Sequence, residues 1–175
     1  MKRTVISLLG VAMVAGLLAA TATVPRSADG AADAIANGKL PEEYRDWRLI
    51  SVAREEGPLD DIRAILGNDT AIKAYREGKP SFPEGTIIAR IAWSLDASEE
   101  NNKTFGKAQS FVAGHPKNGV QFMVKDSVRY ASTGGWGYAH FDDGKPVTDA
   151  AKLQSCFDCH ALIKPRDFVF TRYAP

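Results

Sequence analysis

Apolar and polar positions alternate along much of the chain and predict a mixed fold in which strands lead and short helices lie between them. Apolar, β-branched runs bounded by polar turns are typical of half-buried strands. Such runs occupy residues 48–53, 62–66, 86–95, 136–141 and 167–173. Two further runs, 108–113 and 120–124, flank the pair Asn118-Gly119, which is a strong hairpin signal.

Helix signals are fewer and more local. Asn68 or Asp69 can cap a helix that runs to Glu77, because short polar side chains accept hydrogen bonds from the first free N–H groups of a helix. Thr148 can cap a second helix, whose first residues are good helix formers. The polar stretch 96–103 predicts a loop.

The N-terminus predicts a signal peptide over residues 1–22. Lys2 and Arg3 precede an apolar run from 4 to 20, and Ala20-Thr21-Ala22 offers small residues for cleavage. An uncleaved membrane anchor is the alternative, but the run is at the short end for spanning a bilayer. Residues 23–39, rich in small side chains toward their start, predict a flexible leader, and 40–175 a single domain.

The charge balance excludes one class of partner. Without Lys2 and Arg3, the 22 basic residues fall to 20, against 21 acidic residues. Domains that bind nucleic acid normally carry a basic excess. We therefore expect no nucleic-acid partner.

The two cysteines of the chain lie near its C-terminus in the pentapeptide Cys156-Phe157-Asp158-Cys159-His160. This Cys-x-x-Cys-His spacing is the attachment motif for c-type haem, in which two thiols bond the porphyrin and an imidazole reaches the iron. On a helix, positions i, i+3 and i+4 share one face, so all three side chains can meet one planar ligand. The motif predicts one haem c per chain, held by Cys156 and Cys159, with His160 as the metal ligand.

Three other interpretations of the motif are weaker. A redox Cys-x-x-Cys normally follows a strand early in a βαβ unit, and no such unit follows here. A zinc site needs four ligands, yet only His115 and His140 remain as obvious partners. A structural disulfide would close a very short loop and would leave His160 unexplained.

The remaining candidate axial ligands are few. No methionine follows His160, whereas small electron-transfer cytochromes c place a methionine ligand well after the motif. Met123 is the methionine outside the N-terminal 22 residues, and a lone apolar methionine is far more often a core residue. His115 lies in a turn and should be exposed, while His140 lies in a strand that can turn it inward. We expect the sixth iron position to be vacant or held weakly by water.

Separated segments of the chain resemble the cytochrome P-460 family in order and spacing. The match runs from about residue 40 to 173 and is carried by Leu40 to Trp47, Glu84-Gly85-Thr86, Val124 to Tyr130, Cys156 to His160 and Asp167 to Tyr173.

The resemblance implies an α+β fold with a mainly antiparallel sheet, packed helices and a haem c attached on a C-terminal helix. It also implies a homodimer and a five-coordinate haem. One branch of the family oxidises hydroxylamine through a haem that carries an additional lysine cross-link. The other branch, cytochrome c'-beta, lacks that link and binds gases such as nitric oxide.

Arg90 stands where the resemblance places the cross-linking lysine. A guanidinium stays protonated and is a poor nucleophile, so it should not form the amine bond to the porphyrin. Arg90 can instead pair with a haem propionate or donate to a ligand, unless it lies on a solvated strand face. The wider neighbourhood still contains lysines that do not align with that position, namely Lys73, Lys79, Lys103 and Lys107.

Three more residues are candidates for the surroundings of the haem through the resemblance. Arg63 resembles a distal-pocket arginine of the family, with a surface ion pair to Asp60 or Asp61 as the alternative. Leu59 aligns near a position often filled by phenylalanine, where an apolar cap would exclude water. Lys164 falls where some oxidising members have a carboxylate, and a charged lysine cannot accept their proton.

These observations predict a periplasmic haem protein that binds nitric oxide or a similar small ligand and has possible redox activity. Oxidation of hydroxylamine is the first alternative. An electron-transfer cytochrome with a redox partner protein is the second.

Overall fold

The computed structural model of the protein describes residues 28–174. The signal peptide predicted for residues 1–22 therefore lies outside the described residues. Within them, no helix has the length and apolar character needed to cross a membrane.

The fold is α+β, as predicted. One six-stranded sheet has its strands in chain order, and every neighbouring pair is antiparallel. The strands are β1 (Arg48–Glu55), β2 (Asp61–Gly67), β3 (Ile87–Ala97), β4 (Phe111–Lys125), β5 (Trp136–Asp142) and β6 (Lys145–Pro146). The helices are α1 (Ala28–Ala36), α2 (Asp69–Arg76), α3 (Glu99–Phe105) and α4 (Ala150–Ala161).

The predicted hairpin at Asn118-Gly119 is wrong, because β4 runs through it as one strand. Both residues have positive φ, 58° and 56°, as in the predicted turn. The register with β3 shifts there, from Ile91 opposite Val120 to Trp93 opposite Pro116. The Asn-Gly pair thus forms a bulge that bends a long strand, which is the other use of positive φ in a sheet.

Two further local predictions are wrong. The polar stretch 96–103 is not all loop, since α3 forms there and ends at Gly106, whose φ of 67° suits a left-handed cap. The segment 167–173 is not a strand. Asp167 and Phe168 have φ of 49° and 64°, which breaks an extended run at its start.

The flexible leader predicted for 23–39 is wrong for the part that forms α1. Ala31 and Ile35 lie one helical turn apart, and both are buried in the core. A short Ala-rich helix is marginal alone in water, so this burial is what stabilises it. The domain therefore begins before residue 40.

The sheet has one closed face and one open face. On the closed face, residues such as Ala89, Ile91 and Phe122 pack against α1 and a 3₁₀ helix at Glu42–Asp46. On the opposite face, Ile88 and Met123 belong to a second apolar cluster with residues of α2. That cluster covers only part of the face, and the rest, here called the cavity face, lines an open space.

Candidate haem-binding site

A cavity of about 820 Å³ lies between the cavity face, α4 and the chain after Phe168. Its volume falls in the range of about 300–1,000 Å³ that is typical of cofactor and ligand pockets. The sheet supplies alternate side chains, because successive residues of a strand point to opposite faces. The residues from β2, β3 and β5 that the site uses are Arg63, Ile65, Ile88, Arg90, Tyr138 and His140.

Helix α4 begins at a side-chain cap. The Asp149 carboxylate accepts hydrogen bonds from the backbone N–H groups of Ala151 and Lys152, at 2.9 and 3.2 Å. The cap is therefore one residue later than the predicted Thr148. Asp149 suits the cap position, because a carboxylate also interacts favourably with the positive end of the helix dipole.

The Cys-x-x-Cys-His motif occupies the last turns of α4. Cys156, Cys159 and His160 all line the cavity, so the spacing does place them on one face of a helix. The helix ends at Ala161, before a 3₁₀ helix that contains Pro165. Proline cannot continue the α-helical hydrogen-bond ladder, which explains the stop.

His160 is held by its Nδ1 atom. Nδ1 lies 2.6 Å from the carbonyl oxygen of Phe168, and a carbonyl can only accept, so Nδ1 carries the proton. The rings of Tyr138 and Phe170 flank the imidazole, each with a centroid separation of 5.2 Å. Burial lowers the pKa of His160 below its usual 6.5. A neutral imidazole with a fixed Nδ1–H and a free Nε2 is the form that ligates metals.

The two thiols do not resemble a redox pair. Both are free, Cys156 half-buried and Cys159 exposed. Burial, followed by the neighbouring Cys159, raises the pKa of the Cys156 thiol, whereas redox Cys-x-x-Cys motifs lower it. In the described part of the chain, no three His, Cys, Asp or Glu side chains cluster as a metal site would require. These findings argue against the disulfide-exchange and zinc interpretations.

Arg63 and Arg90 meet at a buried carboxylate. Asp61 is fully buried and accepts from Arg63 Nε at 2.7 Å and from an Nη atom of Arg90. The two arginine side chains are only 12% and 13% exposed. The alternative of a solvated strand face for Arg90 is therefore wrong. The ion pair considered for Arg63 does form with Asp61, but it is buried and not on the surface. Burial and the neighbouring Arg63 lower the pKa of Arg90, and Asp61 opposes that shift.

Several buried polar atoms of the cavity have no hydrogen-bond partner among the described residues. They are Arg63 Nη2, Arg90 Nη1, Tyr138 Oη and His140 Nε2. The two guanidinium atoms and the tyrosine hydroxyl are donors, and an unpaired buried donor costs about 1–3 kcal/mol, so these three in one cavity indicate a ligand that supplies acceptors. Burial raises the pKa of Tyr138, which keeps its hydroxyl as a neutral donor.

These residues fit a haem. Ile65, Ile88 and Met123 offer apolar contacts to a flat ring, and the free guanidinium N–H groups suit its carboxylates. His160 offers a neutral nitrogen to iron. The prediction that Met123 belongs to the core is confirmed, although the residue also borders the cavity.

The other predicted candidates divide between cavity and surface. Leu59 lines the cavity and is 43% exposed, so it lies at the rim. Lys164 is exposed on its 3₁₀ helix and does not line the cavity. The four lysines considered near Arg90 are also exposed and outside the cavity lining, namely Lys73, Lys79, Lys103 and Lys107. His115 is exposed, as predicted, and its Nδ1 lies 3.0 Å from the Ser94 hydroxyl.

Sequence reasoning missed Lys152 as part of the site, and it did not show that Asp61 would pair with Arg90 as well as with Arg63. Lys152 was detectable, because it lies one helical turn before Cys156 on the face that the motif defines. Tyr138 shares its strand face with His140 and follows from the alternation. Asp61 gave no signal as a partner of Arg90, since the two are separated by 29 residues.

Comparison with known families identifies a match over most of the chain. The family profile described as Cytochrome P460 matches residues 41–171, from the 3₁₀ helix before β1 to the segment after α4. A search of the curated proteins gives no match. Membership of this family implies a haem cofactor, in agreement with the cavity and His160. The chain belongs to the Cytochrome P460 family.

Proposed function

We propose that this protein is a periplasmic c-type cytochrome that binds nitric oxide or a similar small ligand at a haem with one open axial position. Cys156 and Cys159 hold the haem, and His160 is its axial ligand. When bound, the haem supplies an iron that takes a diatomic ligand at the open position. The observation that carries the proposal is His160, whose Nδ1 is fixed by Phe168 while its ring faces the cavity.

The open position is supported by how His140 is held. His140 also lines the cavity, and burial lowers its pKa, so it is a neutral imidazole. Its Nε2, however, lies against the β4 bulge, where a Cβ built on Gly119 would be 3.0 Å away. A side chain tucked against its own sheet is poorly placed to reach across a cavity as a second ligand.

Arg90 supports gas binding over hydroxylamine oxidation. Its guanidinium is committed to Asp61 and cannot supply the amine of a lysine cross-link. Lys152 favours the alternative, because its side chain lines the cavity beside the attachment motif. Hydroxylamine oxidation therefore remains the second candidate function, with Lys152 as the lysine to test.

The N-terminal segment supports the periplasmic location, since c-type haem is attached outside the cytoplasm. Leu49 and Val52 support the homodimer, because both are more than half exposed on the edge strand β1. Exposed apolar residues on an edge strand favour pairing with another chain. Size-exclusion chromatography with light scattering, on the wild type and on a Val52→Asp variant, tests that pairing.

The test of function is absorption spectroscopy on the full chain, produced in a host that attaches haem c in its periplasm. We expect a covalent haem, a high-spin spectrum, and a change on adding nitric oxide. A Cys156→Ala, Cys159→Ala variant should lose the covalent bond. A six-coordinate low-spin spectrum would favour an electron carrier instead.

The cross-link is tested separately with Lys152→Ala. A red-shifted reduced Soret band in the wild type that disappears in this variant would favour hydroxylamine oxidation. We expect the same ordinary c-type band in both proteins. Lys103→Ala, on α3 and away from the cavity, is the matched control.

A further inference from the structure

A buried ion pair lies behind His160 and outside the cavity. Lys125 Nζ is 2.8 Å from Asp167 Oδ1, and the two side chains are 9% and 11% exposed. Lys125 also donates to the carbonyl of Gly134 at 3.3 Å and lies 5.0 Å from the centroid of the Trp136 ring. Neither charged residue lines the cavity, so neither can touch a ligand bound there.

The Asp167 carboxylate is saturated with donors. Besides Lys125, its Oδ1 accepts from the indole N–H of Trp136 at 3.2 Å. Its Oδ2 accepts from the backbone N–H of Phe82 at 2.8 Å. A buried carboxylate with all its donors in place is held rigidly, because loss of any contact leaves a charged group unsatisfied.

The rigidly held Asp167 carboxylate anchors a turn whose backbone conformation is unfavourable. Asp167 and Phe168 are consecutive non-glycine residues in the left-handed region, with φ of 49° and 64°, and this conformation is unfavourable above all for the bulky phenylalanine. The Phe168 ring packs where Gly134 has no side chain, since a Cβ there would lie 2.3 Å from the ring. The turn directs the Phe168 carbonyl at Nδ1 of His160, at 2.6 Å.

We propose that Lys125 and Asp167 are positioning residues for the axial histidine. They fix the Phe168 carbonyl against the imidazole N–H and so set how strongly His160 donates electrons to the haem iron. This inference rests on the proposed function, because it needs His160 as the ligand. A hydrogen bond donated by Nδ1, the ring nitrogen that does not bind the iron, raises the basicity of the ligating Nε2. A more basic ligand stabilises ferric iron over ferrous iron, so loss of the hydrogen bond should raise the midpoint potential.

The test compares wild-type holoprotein with Asp167→Asn. The amide keeps the size of the side chain, but its charge is gone and its N–H₂ group opposes the Phe82 N–H. We expect about a tenfold shift of the one-electron equilibrium, at the low end of the effects of groups behind a metal ligand, which equals about 59 mV toward a higher potential. The iron–histidine stretching frequency of the ferrous protein, measured by resonance Raman, should fall.

A second variant keeps the proposal testable if Asp167→Asn does not fold. Lys125→Met with Asp167→Asn removes both charges together, so no unpaired buried charge remains. Asn68→Ala is the matched control, because Asn68 is a buried side chain that bonds the backbone at Gly85, Ala71 and Ile87 and makes no hydrogen bond to Lys125, Asp167, Phe168 or His160. It should lower stability without moving the potential or the stretching frequency.

Two outcomes would overturn the inference, and they are distinguishable. If wild-type protein carries no covalent haem by mass spectrometry, the proposed function itself fails and the inference falls with it. If haem is attached but the Asp167 variants keep the wild-type potential and stretching frequency, the ion pair only stabilises the fold, and the proposed function stands.

Discussion

Two buried ionic clusters of the protein differ in how completely their donors are used. In the Asp61 cluster, formed with Arg63 and Arg90, one nitrogen of each guanidinium has no partner among the described residues. In the Asp167 cluster, formed with Lys125 and Trp136, every side-chain polar atom is paired. The unsaturated cluster faces the cavity, and the saturated one holds the backbone behind His160.

The difference between the two clusters corresponds to a difference in role: the Asp61 cluster can bind a ligand, and the Asp167 cluster supports the backbone. A closed network rigidifies the backbone around it, whereas an open one is costly until a ligand completes it. The protein can accept that cost in the Asp61 cluster because Asp61 already compensates part of the positive charge. Unpaired atoms therefore mark where the molecule binds, and fully paired ones mark where it must not move.

The largest expected effect comes from breaking the Asp61 cluster. Asp61→Ala leaves the buried Arg90 guanidinium without its hydrogen-bonded carboxylate and leaves Arg63 with only the half-exposed Glu55, at 3.5 Å. It should lower the free energy of unfolding by about 3 kcal/mol. Urea unfolding of the purified proteins measures the loss. Asp60→Asn is the control, because the Asp60 side chain is 65% exposed and asparagine tolerates its φ of 40°. Equal losses in the two variants would contradict the role assigned to Asp61.

The second-largest effect is expected next to the Asp167 cluster, from a change in the packing of the Phe168 ring. Gly134→Ala puts a Cβ into the Phe168 ring at a φ of 70°. Gly144→Ala imposes the same backbone strain, at a φ of 72°, but meets nothing within 4 Å. We expect Gly134→Ala to cost about 1–3 kcal/mol more than the control, since overpacking costs this amount. Similar unfolding free energies would show that the turn at Phe168 yields easily.

A pH dependence of stability, of intermediate size, is expected from His140, which lines the cavity. Burial, followed by Lys152, lowers the pKa of His140, with Arg90 adding and Asp142 opposing. The unfolded chain therefore takes up the proton first as pH falls below about 6.5, and stability is lost between that pH and the lower folded pKa.

The measurement is the free energy of unfolding of wild type and His140→Gln across that pH window. The wild type should lose more stability, with a difference in slope of at most about 1.4 kcal/mol per pH unit. Parallel curves would mean that His140 keeps its usual pKa in the folded protein.

The smallest effect is expected for an exposed pair that serves as a baseline. Arg48 and Asp69 form an ion pair whose side chains are 50% and 93% exposed. A double-mutant cycle with alanine at both positions should give a coupling energy of about 0.5 kcal/mol or less. A coupling energy of about 3 kcal/mol, as large as the loss expected for Asp61→Ala, would mean that burial does not explain why the Asp61 pairs matter more.

Local patterns predicted the parts of the fold that depend on near neighbours. Strand alternation placed β1, β2, β3 and β5, and the Cys-x-x-Cys-His spacing placed the motif on one face of α4. Such features depend on residues at most a few positions apart, which the sequence shows directly.

The failures involve distant partners. Whether Asn118-Gly119 forms a turn or a bulge depends on the pairing of β4 with β3 and β5 on its two sides. Burial of Ile35, which makes α1 part of the domain, depends on the sheet that follows it. Lys125 and Asp167 lie 42 residues apart, and nothing in either neighbourhood indicates the other.

The chain-order arrangement of the sheet also bears on assembly. Each hydrogen-bonded pair in the sheet joins strands that are consecutive in the chain, so no strand has to be inserted between two earlier ones. All six strands precede Cys156 and Cys159 in the chain. The sheet that lines the cavity can therefore form before α4, the helix that carries both cysteines, packs against it.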